Sequence, residues 1–251
     1  MNNSIPTKPT RCAIIGAGYI ADWHVAAINA TPDVSLDAIV DPAPAGAARV
    51  GALYFTSLED LIKAKICDAI HILTPPHLHN ELACQALHAG LHVYVEKPVA
   101  LSLGDTQAIH DAALTAGKIF AAGHNFLGVP AYERLKAAKE SGDLGRITSA
   151  EINWHFPLAP LRSGPFGLWL LAARENLLLE LGPHLYAFAN DLFGPLSIEH
   201  VSLGKPIELP GNNGARPQSW RIIGRAGDVD VTINLSLVET FDDRSVTLRG
   251  T

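Results

Sequence analysis

The strongest constraint on the fold is an alternation of short apolar runs and helical patterns in the first half of the chain. Five apolar runs are typical of buried strands, at residues 12–15, 35–40, 69–73, 92–95 and 118–122. Three helical patterns lie between them, at residues 20–30, 78–89 and 102–116. Gly90 and Gly117 follow two of these patterns, where a left-handed helix cap is expected. The alternation predicts an α/β fold, with a parallel sheet and helices on both faces.

A glycine-rich segment joins the first predicted strand to the first predicted helix. Gly16, Gly18 and Ala21 fit the pattern G-x-G-x-x-A, with Tyr19 and Ile20 inside it. The first glycine permits a tight turn, the second lets the backbone approach a pyrophosphate, and the alanine allows the helix to pack closely. The helix N-terminus then offers N–H groups to phosphate oxygens. The segment therefore predicts a dinucleotide-binding loop.

The second predicted strand ends at an acidic residue. Asp41 lies roughly 20 residues after the glycines, where a carboxylate binds an adenosine ribose diol and repels a 2′-phosphate. This position favours NAD as the cofactor over NADP. The alternative is an ordinary strand-to-helix turn, with Asp41 and Pro42 starting the next helix.

The second half of the chain has a different pattern. Apolar and polar residues alternate strictly over 228–237, which predicts a strand with one covered face. Residues 220–223 and 246–248 are its expected neighbours, with a turn over 224–227, a helix over 132–140 and an exposed loop over 206–217. We expect a dinucleotide-binding domain over residues 1–125 and an α+β domain with a mainly antiparallel open sheet over 126–251. No capping element follows residue 248, so the sheet is expected to be shortened at its C-terminal end.

Charge and hydropathy exclude several classes of protein. The formal net charge is −6 and no block of basic residues occurs, which argues against a nucleic-acid partner. The richest apolar stretch, residues 168–181, is interrupted by Arg174 and Glu175, and the first eleven residues lack an apolar signal core. These observations predict no membrane partner and a cytoplasmic location. The nearby His77, His79 and Cys84 lack a further ligand set, so we expect no metal site.

Several motifs resemble those of the Gfo/Idh/MocA oxidoreductases. They are the loop at 16–21, the Thr-Pro turn in the segment TPPHLH at 74–79, the triplet Glu96-Lys97-Pro98, Asn125, the segment GDLG at 142–145, and the segment ELGPH at 180–184. The resemblance covers nearly the whole chain. The triplet after the predicted fifth strand is the most specific of these motifs.

The resemblance implies a Rossmann domain followed by an open α+β domain whose sheet often forms an oligomer interface. It implies NAD(P)-dependent hydride transfer at a hydroxyl or carbonyl carbon of a sugar, polyol or sugar derivative. It also implies that Thr74 and Pro75 line the cofactor cleft, that Glu96 and Lys97 flank the nicotinamide, and that Asn125 lies near it. His79, at a predicted helix start, is expected to line the same cleft. A small-molecule substrate and a homo-oligomer are the expected partners.

The expected catalytic residues are Lys97, His184 and Glu180. Oxidation of an alcohol requires a base for the hydroxyl proton and a cation near the oxygen. His184 is our candidate base, Lys97 the candidate cation, and Glu180, one turn earlier on the same helix, the residue that orients His184 or binds substrate. Glu180 stands where the family commonly has Asp, and Ala187 where a further acid is common. Taken alone, Lys97 fits a solvated ion pair with Glu96, and His184 fits a core histidine.

Two other functions remain open on the sequence. The first is a dinucleotide-binding sensor of the same fold without catalysis. The second is an NAD-dependent glycosidase. Trp154 fits either a sugar-binding surface or the core.

Overall fold

The computed structural model describes residues 9–43, 51–211 and 214–251. The chain divides into two compact units, Met1–Gly123 and His124–Thr251. Within the described ranges, no helix is long and apolar enough to cross a membrane.

The first unit contains a six-stranded parallel sheet. The strands are ordered β3-β2-β1-β4-β5-β6, with neighbours hydrogen-bonded in parallel throughout. This order is that of a Rossmann fold, with the first strand at the point where the order reverses. The bounds are β1 Thr10–Ile15, β2 Val34–Val40, β3 Leu53–Phe55, β4 Ala69–Ile72, β5 His92–Val95 and β6 Phe120–Ala122.

Helices cover both faces of this sheet, which confirms the predicted α/β class. Helix α1 packs Ala21 and Ile28 against one face, beside Ile14 of β1. The other three helices within the described residues pack against the opposite face, where Leu61 and Ile109 belong to the same core as the strands. The bounds are α1 Ala21–Ala30, α2 Leu58–Ala64, α3 His79–His88 and α4 Leu103–Ala116.

Local signals explain where the helices begin and end. Ser57 and Ser102 cap α2 and α4 by accepting the N–H of Asp60 at 3.2 Å and of Asp105 at 3.1 Å. Gly117, with φ +60°, ends α4 in the left-handed conformation that the sequence predicts. The sequence analysis did not predict β3 and α2, because a three-residue strand and a seven-residue helix show too little periodicity.

The second unit contains a five-stranded mixed sheet. The order is β13-β7-β12-β11-β8, and the β7–β12 pair is parallel while the other three are antiparallel. The expectation of a mainly antiparallel sheet is therefore confirmed. The bounds are β7 Ile147–His155, β8 Ser197–Leu203, β11 Ser219–Ala226, β12 Val229–Ser236 and β13 Asp243–Gly250.

One face of this sheet packs on a long helix. Ile152, Ile233 and Leu235 of the sheet share a core with Leu185 and Phe188 of this helix. The helices of the unit are α5 Pro130–Glu140, α6 Ala159–Ser163, α7 Trp169–Ala172 and α8 Asn176–Phe193, the long one, and a short 3-10 turn, Asn125–Gly128, precedes them.

Three expectations for this unit were wrong. Strand β13, which contains residues 246–248, was expected beside β12 but pairs with β7, which lies between them. The segment expected to be an exposed loop contains a hairpin, β9 Ile207–Glu208 and β10 Ala215–Arg216, and Leu209 is buried. Arg216 is 3% exposed, because its guanidinium donates to the carbonyls of Leu171 and Ala172 near the end of α7. Gly224 lies in β11 rather than in a turn, and the turn is formed at Gly227, with φ +60°.

Candidate functional site

The glycine-rich segment connects β1 to α1. Gly16 has φ +95°, and a Cβ atom there would lie 3.0 Å from the Leu73 backbone. Both features restrict the position to glycine. A Cβ at Gly18 would meet nothing within 4 Å, so the backbone there borders open space. No side chain caps the helix that follows, and Tyr19 is 82% exposed. The segment therefore offers an accessible backbone and a helix N-terminus to an anion.

Asp41 has a structural role that the sequence analysis missed. Its Oδ2 accepts the N–H of Ala17, inside the glycine-rich segment, at 2.7 Å. Its Oδ1 accepts the N–H of Ala43 at 2.8 Å. A carboxylate has about four acceptor sites, so two hydrogen bonds leave capacity for a ligand. Asp41 thus holds the loop and keeps acceptor capacity at the end of β2.

The Thr-Pro turn follows β4. The Oγ1 of Thr74 is buried and has no hydrogen-bond partner within the part of the chain that the structure describes. Such an atom costs free energy unless a ligand or water satisfies it. Pro75 is exposed, and a 3-10 turn, Pro76–Leu78, leads from it into α3. The turn is therefore a candidate ligand contact.

His79 was expected to line the cofactor cleft, but its side chain is buried among backbone groups. Its side chain is 1% exposed, and its Nδ1 and Nε2 lie 2.9 Å from the Pro98 carbonyl and 2.7 Å from the Thr74 carbonyl. Both ring nitrogens are therefore engaged by the backbone. His79 ties the Thr-Pro turn to the segment after β5 and has no exposed surface to offer a cofactor.

Glu96 and Lys97 directly follow β5. Glu96 Oε1 lies 3.0 Å from His24 Nε2, and Oε2 accepts the Lys97 N–H at 3.1 Å. Burial raises the Glu96 pKa, but the hydrogen bond and charge of His24, with smaller effects from Lys97, lower it overall below its usual value. The carboxyl group is therefore held as a carboxylate at the carboxyl end of the sheet.

Two histidines near Glu96 were also missed. His24 Nδ1 lies 3.0 Å from His71 Nδ1, and the His71 ring stacks on Tyr94 with centroids 5.0 Å apart. Burial, followed by the charge of His24, lowers the pKa of His71 to about 4. The one regular feature that brings this cluster together is the strand register, which places His71 of β4 opposite Tyr94 of β5. Nothing in local spacing indicates that His24 of α1 meets them.

The second unit carries Asn125, Glu180 and His184. Asn125 is exposed and begins the 3-10 turn, three residues beyond the end of β6 rather than at the end of that strand. Glu180 and His184 lie one turn apart on α8, as expected. His184 is 6% exposed, with its ring centroid 5.1 Å from Trp154 and 4.8 Å from Phe126.

A cavity of about 410 Å³ adjoins these aromatic rings. It is lined mainly by apolar and aromatic side chains, with one guanidinium: Phe126, Tyr132, Trp154, Phe188, Arg244 and Val246. The guanidinium carbon of Arg244 lies 5.6 Å from the centroid of Trp154. Trp154 is thus both a core residue and one wall of a cavity. Among the described residues, no group of three or more His, Cys, Asp or Glu side chains is arranged to hold a metal ion.

The parallel sheet and its glycine-rich loop define the class of protein. Residues 10–124 match the model of an oxidoreductase family with an NAD-binding Rossmann fold. The matched family is that of the Gfo/Idh/MocA oxidoreductases, so the resemblance of the sequence motifs is confirmed over residues 10–124.

Curated relatives and solved structures agree with this assignment. The chain is 32% identical to 1,5-anhydro-D-fructose reductase from Ensifer adhaerens over 69% of its own length and 54% of the relative. It is 31% identical to inositol 2-dehydrogenase from Corynebacterium glutamicum over 56% and 44% of the two chains. The chain therefore spans about half the length of these relatives.

One solved structure is similar to both units of this chain. The WlbA dehydrogenase from Bordetella pertussis, in complex with NADH and UDP-GlcNAcA, matches with a TM-score of 0.83 at 23% identity. The match covers 98% of this chain and 72% of that protein. At this identity, the likeness establishes the fold alone.

Proposed function

We propose that the protein is an NAD-dependent oxidoreductase that transfers a hydride between nicotinamide and a hydroxyl or carbonyl carbon of a sugar, polyol or sugar derivative. The observation that carries this proposal is the loop at Gly16 and Gly18, held by Asp41 at the carboxyl end of a Rossmann sheet. The match of residues 10–124 to an NAD-binding oxidoreductase family supports it.

The residues present fit a dinucleotide. The backbone at Gly16, Gly18, Tyr19 and Ile20 would hold the pyrophosphate, because it combines open space with a helix N-terminus. The remaining acceptor capacity of Asp41 would hold the adenosine ribose diol, and its charge would disfavour a 2′-phosphate.

Five further residues would hold the nicotinamide half of the cofactor. The buried, unsatisfied Oγ1 of Thr74 supports a ligand contact there, and Pro75, Glu96 and Lys97 would complete the contact. Asn125 is proposed as a further contact on the ground of the family motif. The nicotinamide, when bound, accepts or donates the hydride.

The chemistry also needs a proton acceptor and a charge near the reacting oxygen. We assign the charge to the Lys97 ammonium group, which would stabilise a developing alkoxide. We assign the proton transfer to His184 and the orientation of His184, or of a substrate hydroxyl, to Glu180. The one-turn spacing of Glu180 and His184 on α8 supports this pairing.

The substrate class rests on the relatives. One acts on an anhydro sugar and another on a polyol, as their names state. The aromatic cavity lined by Trp154 and Phe126 suits the apolar face of a sugar ring, and the Arg244 guanidinium, which pairs with Asp242, lines it as well. We therefore propose sugars, polyols and their derivatives as substrates.

Replacement of Lys97 tests the assignment. Lys97→Met and His184→Phe should each reduce turnover with NAD and a panel of sugars and polyols by roughly 10²-fold or more. His184→Phe should change the dissociation constant of NADH by no more than about twofold, since that affinity rests mainly on the loop and Asp41, whereas Lys97→Met should weaken NADH binding by less than about tenfold because only one contact to the nicotinamide half is lost. His88→Gln, on the exposed end of α3, is the matched control and should leave both quantities unchanged. Turnover that survives both replacements would refute these roles.

A cofactor-binding protein without turnover is the second candidate. The burial of His184 between Trp154 and Phe126 favours it, because such a histidine has little surface to offer a substrate. In that case NADH should bind with no turnover on any tested sugar, and His184→Phe should change only stability.

We also propose that the protein forms a homo-oligomer through its C-terminal sheet. Strand β8 exposes Ile198, Val201 and Leu203, each by more than 40%. Light scattering during gel filtration should give a mass above 26.8 kDa for the wild type, and Val201→Lys should lower it. A monomeric wild type would refute this proposal.

A further inference from the structure

Three titratable side chains of the first unit meet although they lie far apart in the sequence. His24 lies on α1, His71 on β4, and Glu96 directly follows β5. His24 contacts Glu96 through Nε2 and His71 through Nδ1, each at 3.0 Å. The side chains of His24 and Glu96 are only 12% and 15% exposed. An unbroken chain of contacts therefore runs from Glu96 through His24 to His71.

The protons in this chain can be counted. An ionised carboxylate only accepts hydrogen bonds, so His24 Nε2 must donate to Glu96. If His24 is neutral, its Nδ1 has no proton and His71 Nδ1 must donate to it. If His24 is charged, its Nδ1 donates and His71 Nδ1 accepts. In both states one proton lies between the two Nδ1 atoms, and no heavy-atom contact has to break.

The surroundings of His71 keep its ring uncharged. His71 has a pKa lowered to about 4 by burial and by His24, so it is neutral near pH 7. Tyr94 stacks on His71 and meets the edge of His24 at 5.4 Å, and burial raises its pKa to about 12. The charged groups facing the pair are thus Glu96 and, beyond it, Lys97. His92 lines the same sheet-face groove as His71.

The Glu96 carboxylate is confined on its other sides. Its Oε2 accepts the Lys97 N–H, and a Cβ atom added at Gly123 would lie 3.1 Å from the carboxyl group and 3.0 Å from the Tyr94 hydroxyl. Little space is left for another rotamer. These contacts confine the Oε2 side of the carboxylate, and His24 is the side-chain donor at its Oε1.

We propose that His24 and His71 form a positioning pair, which holds the Glu96 carboxylate, and with it the main chain at Lys97, through one proton shared between their Nδ1 atoms. His71 fixes the tautomer of His24, and His24 then presents Nε2–H to Glu96. The consequence for catalysis rests on the proposed function, in which Lys97 acts at the reacting oxygen. The pairing itself does not depend on that function.

The titration of Glu96 in the full chain, without any ligand, tests the pair. The carboxyl ¹³C shift of Glu96, assigned with Glu96→Gln, is followed against pH. His24→Leu should raise the midpoint by about one pH unit or more, because burial then acts against a carboxylate with one donor fewer. His24→Gln keeps an amide donor and should recover at least half of that shift. His88→Gln should cause no shift.

Imidazole ¹⁵N shifts of the wild type give a second readout that needs no destabilising variant. At a pH where both rings are neutral, the proposed pair requires opposite tautomers, with the proton on Nε2 of His24 and on Nδ1 of His71. His71→Phe should remove this preference from His24. Two neutral rings that each carry their proton on Nε2, or a Glu96 midpoint that is the same in His24→Leu, His24→Gln and the wild type, would overturn the inference.

Kinetics separate this inference from the proposed function. If the protein is an oxidoreductase, His24→Leu should lower kcat about tenfold while leaving the KM for the sugar within about twofold. If no turnover is found, the proposed function fails, but the two NMR results still test the pair.

Discussion

The Asp41 carboxylate accepts the N–H of Ala17 at 2.7 Å and so ties the end of β2 to the glycine-rich loop. One side chain therefore holds the loop in place and is also proposed to discriminate between NAD and NADP. Replacement of Asp41 should therefore disturb both the loop and the recognition of the cofactor. The first effect should be similar for NADH and NADPH, whereas the second should differ between the two nucleotides.

Asp41→Asn should weaken NADH binding, because the carboxylate's charge-assisted bond to the loop and its contact with the ribose are both lost. The expected loss is about 1.5–3 kcal/mol, or roughly 10–150-fold in the dissociation constant. NADPH should lose less, since the repulsion of its 2′-phosphate disappears. Fluorescence titration measures both, with Asp37→Asn on the same strand as control. An equal loss for both nucleotides would contradict the proposed role of Asp41 in selecting NAD.

The two loop glycines should respond differently to alanine. Gly16→Ala places a Cβ at φ +95° and against the Leu73 backbone, so it should lower the melting temperature as well as NADH affinity. Gly18→Ala meets open space, so stability should remain within about 0.5 kcal/mol of the wild type while NADH binding falls. Thermal melts and NADH titrations of both variants provide the test. A Gly18→Ala variant with normal affinity would show that the cofactor does not approach this backbone.

His79 should behave as a structural residue. Its replacement by Leu removes two contacts to backbone carbonyls and leaves these buried acceptors unsatisfied, which should cost about 2–4 kcal/mol of unfolding free energy. His77→Gln, on an exposed neighbour, is the control. Urea unfolding measures the difference. If the variant were as stable as the wild type but had lost most of its NADH affinity, His79 would instead be a direct contact of the cofactor.

The partly buried His71 should make stability depend on pH. Its pKa is about 4 in the folded protein, compared with the ordinary histidine value of 6.5 in the unfolded chain. As the pH falls, the unfolded chain therefore binds the extra proton first. The contribution of neutral His71 to the free energy of unfolding is fully present above pH 6.5 and is lost between about pH 6.5 and pH 4. At pH 5 the loss should be about 2 kcal/mol.

Urea unfolding at pH 7.5 and pH 5 tests this dependence. His71→Phe should reduce the difference in unfolding free energy between the two pH values, whereas His88→Gln should not. A difference that is unchanged in His71→Phe would show that other groups cause it.

The sequence predicts those features that depend on local patterns. The loop at Gly16 and Gly18, the left-handed cap at Gly117 and the alternating strand β12 each carry their signal within a few residues. All three occur as expected. The parallel sheet follows from the alternation of elements, because parallel strands need crossover helices.

Features that depend on distant partners were not predicted. The burial of Arg216 requires the carbonyls of Leu171 and Ala172, some 45 residues earlier. The meeting of His24 and His71 likewise depends on how α1 packs on the sheet. These contacts join residues whose own neighbours in sequence give no hint of a partner.

Direct titration of the wild-type chain with NADH and NADPH, followed by tryptophan quenching, tests whether the Rossmann unit binds a nicotinamide cofactor. We expect saturable binding of both nucleotides, with NADH bound at least about tenfold more tightly because Asp41 disfavours a 2′-phosphate. Tighter binding of NADPH would contradict the role of Asp41. Binding of neither nucleotide would contradict the proposal that this Rossmann unit serves a nicotinamide cofactor.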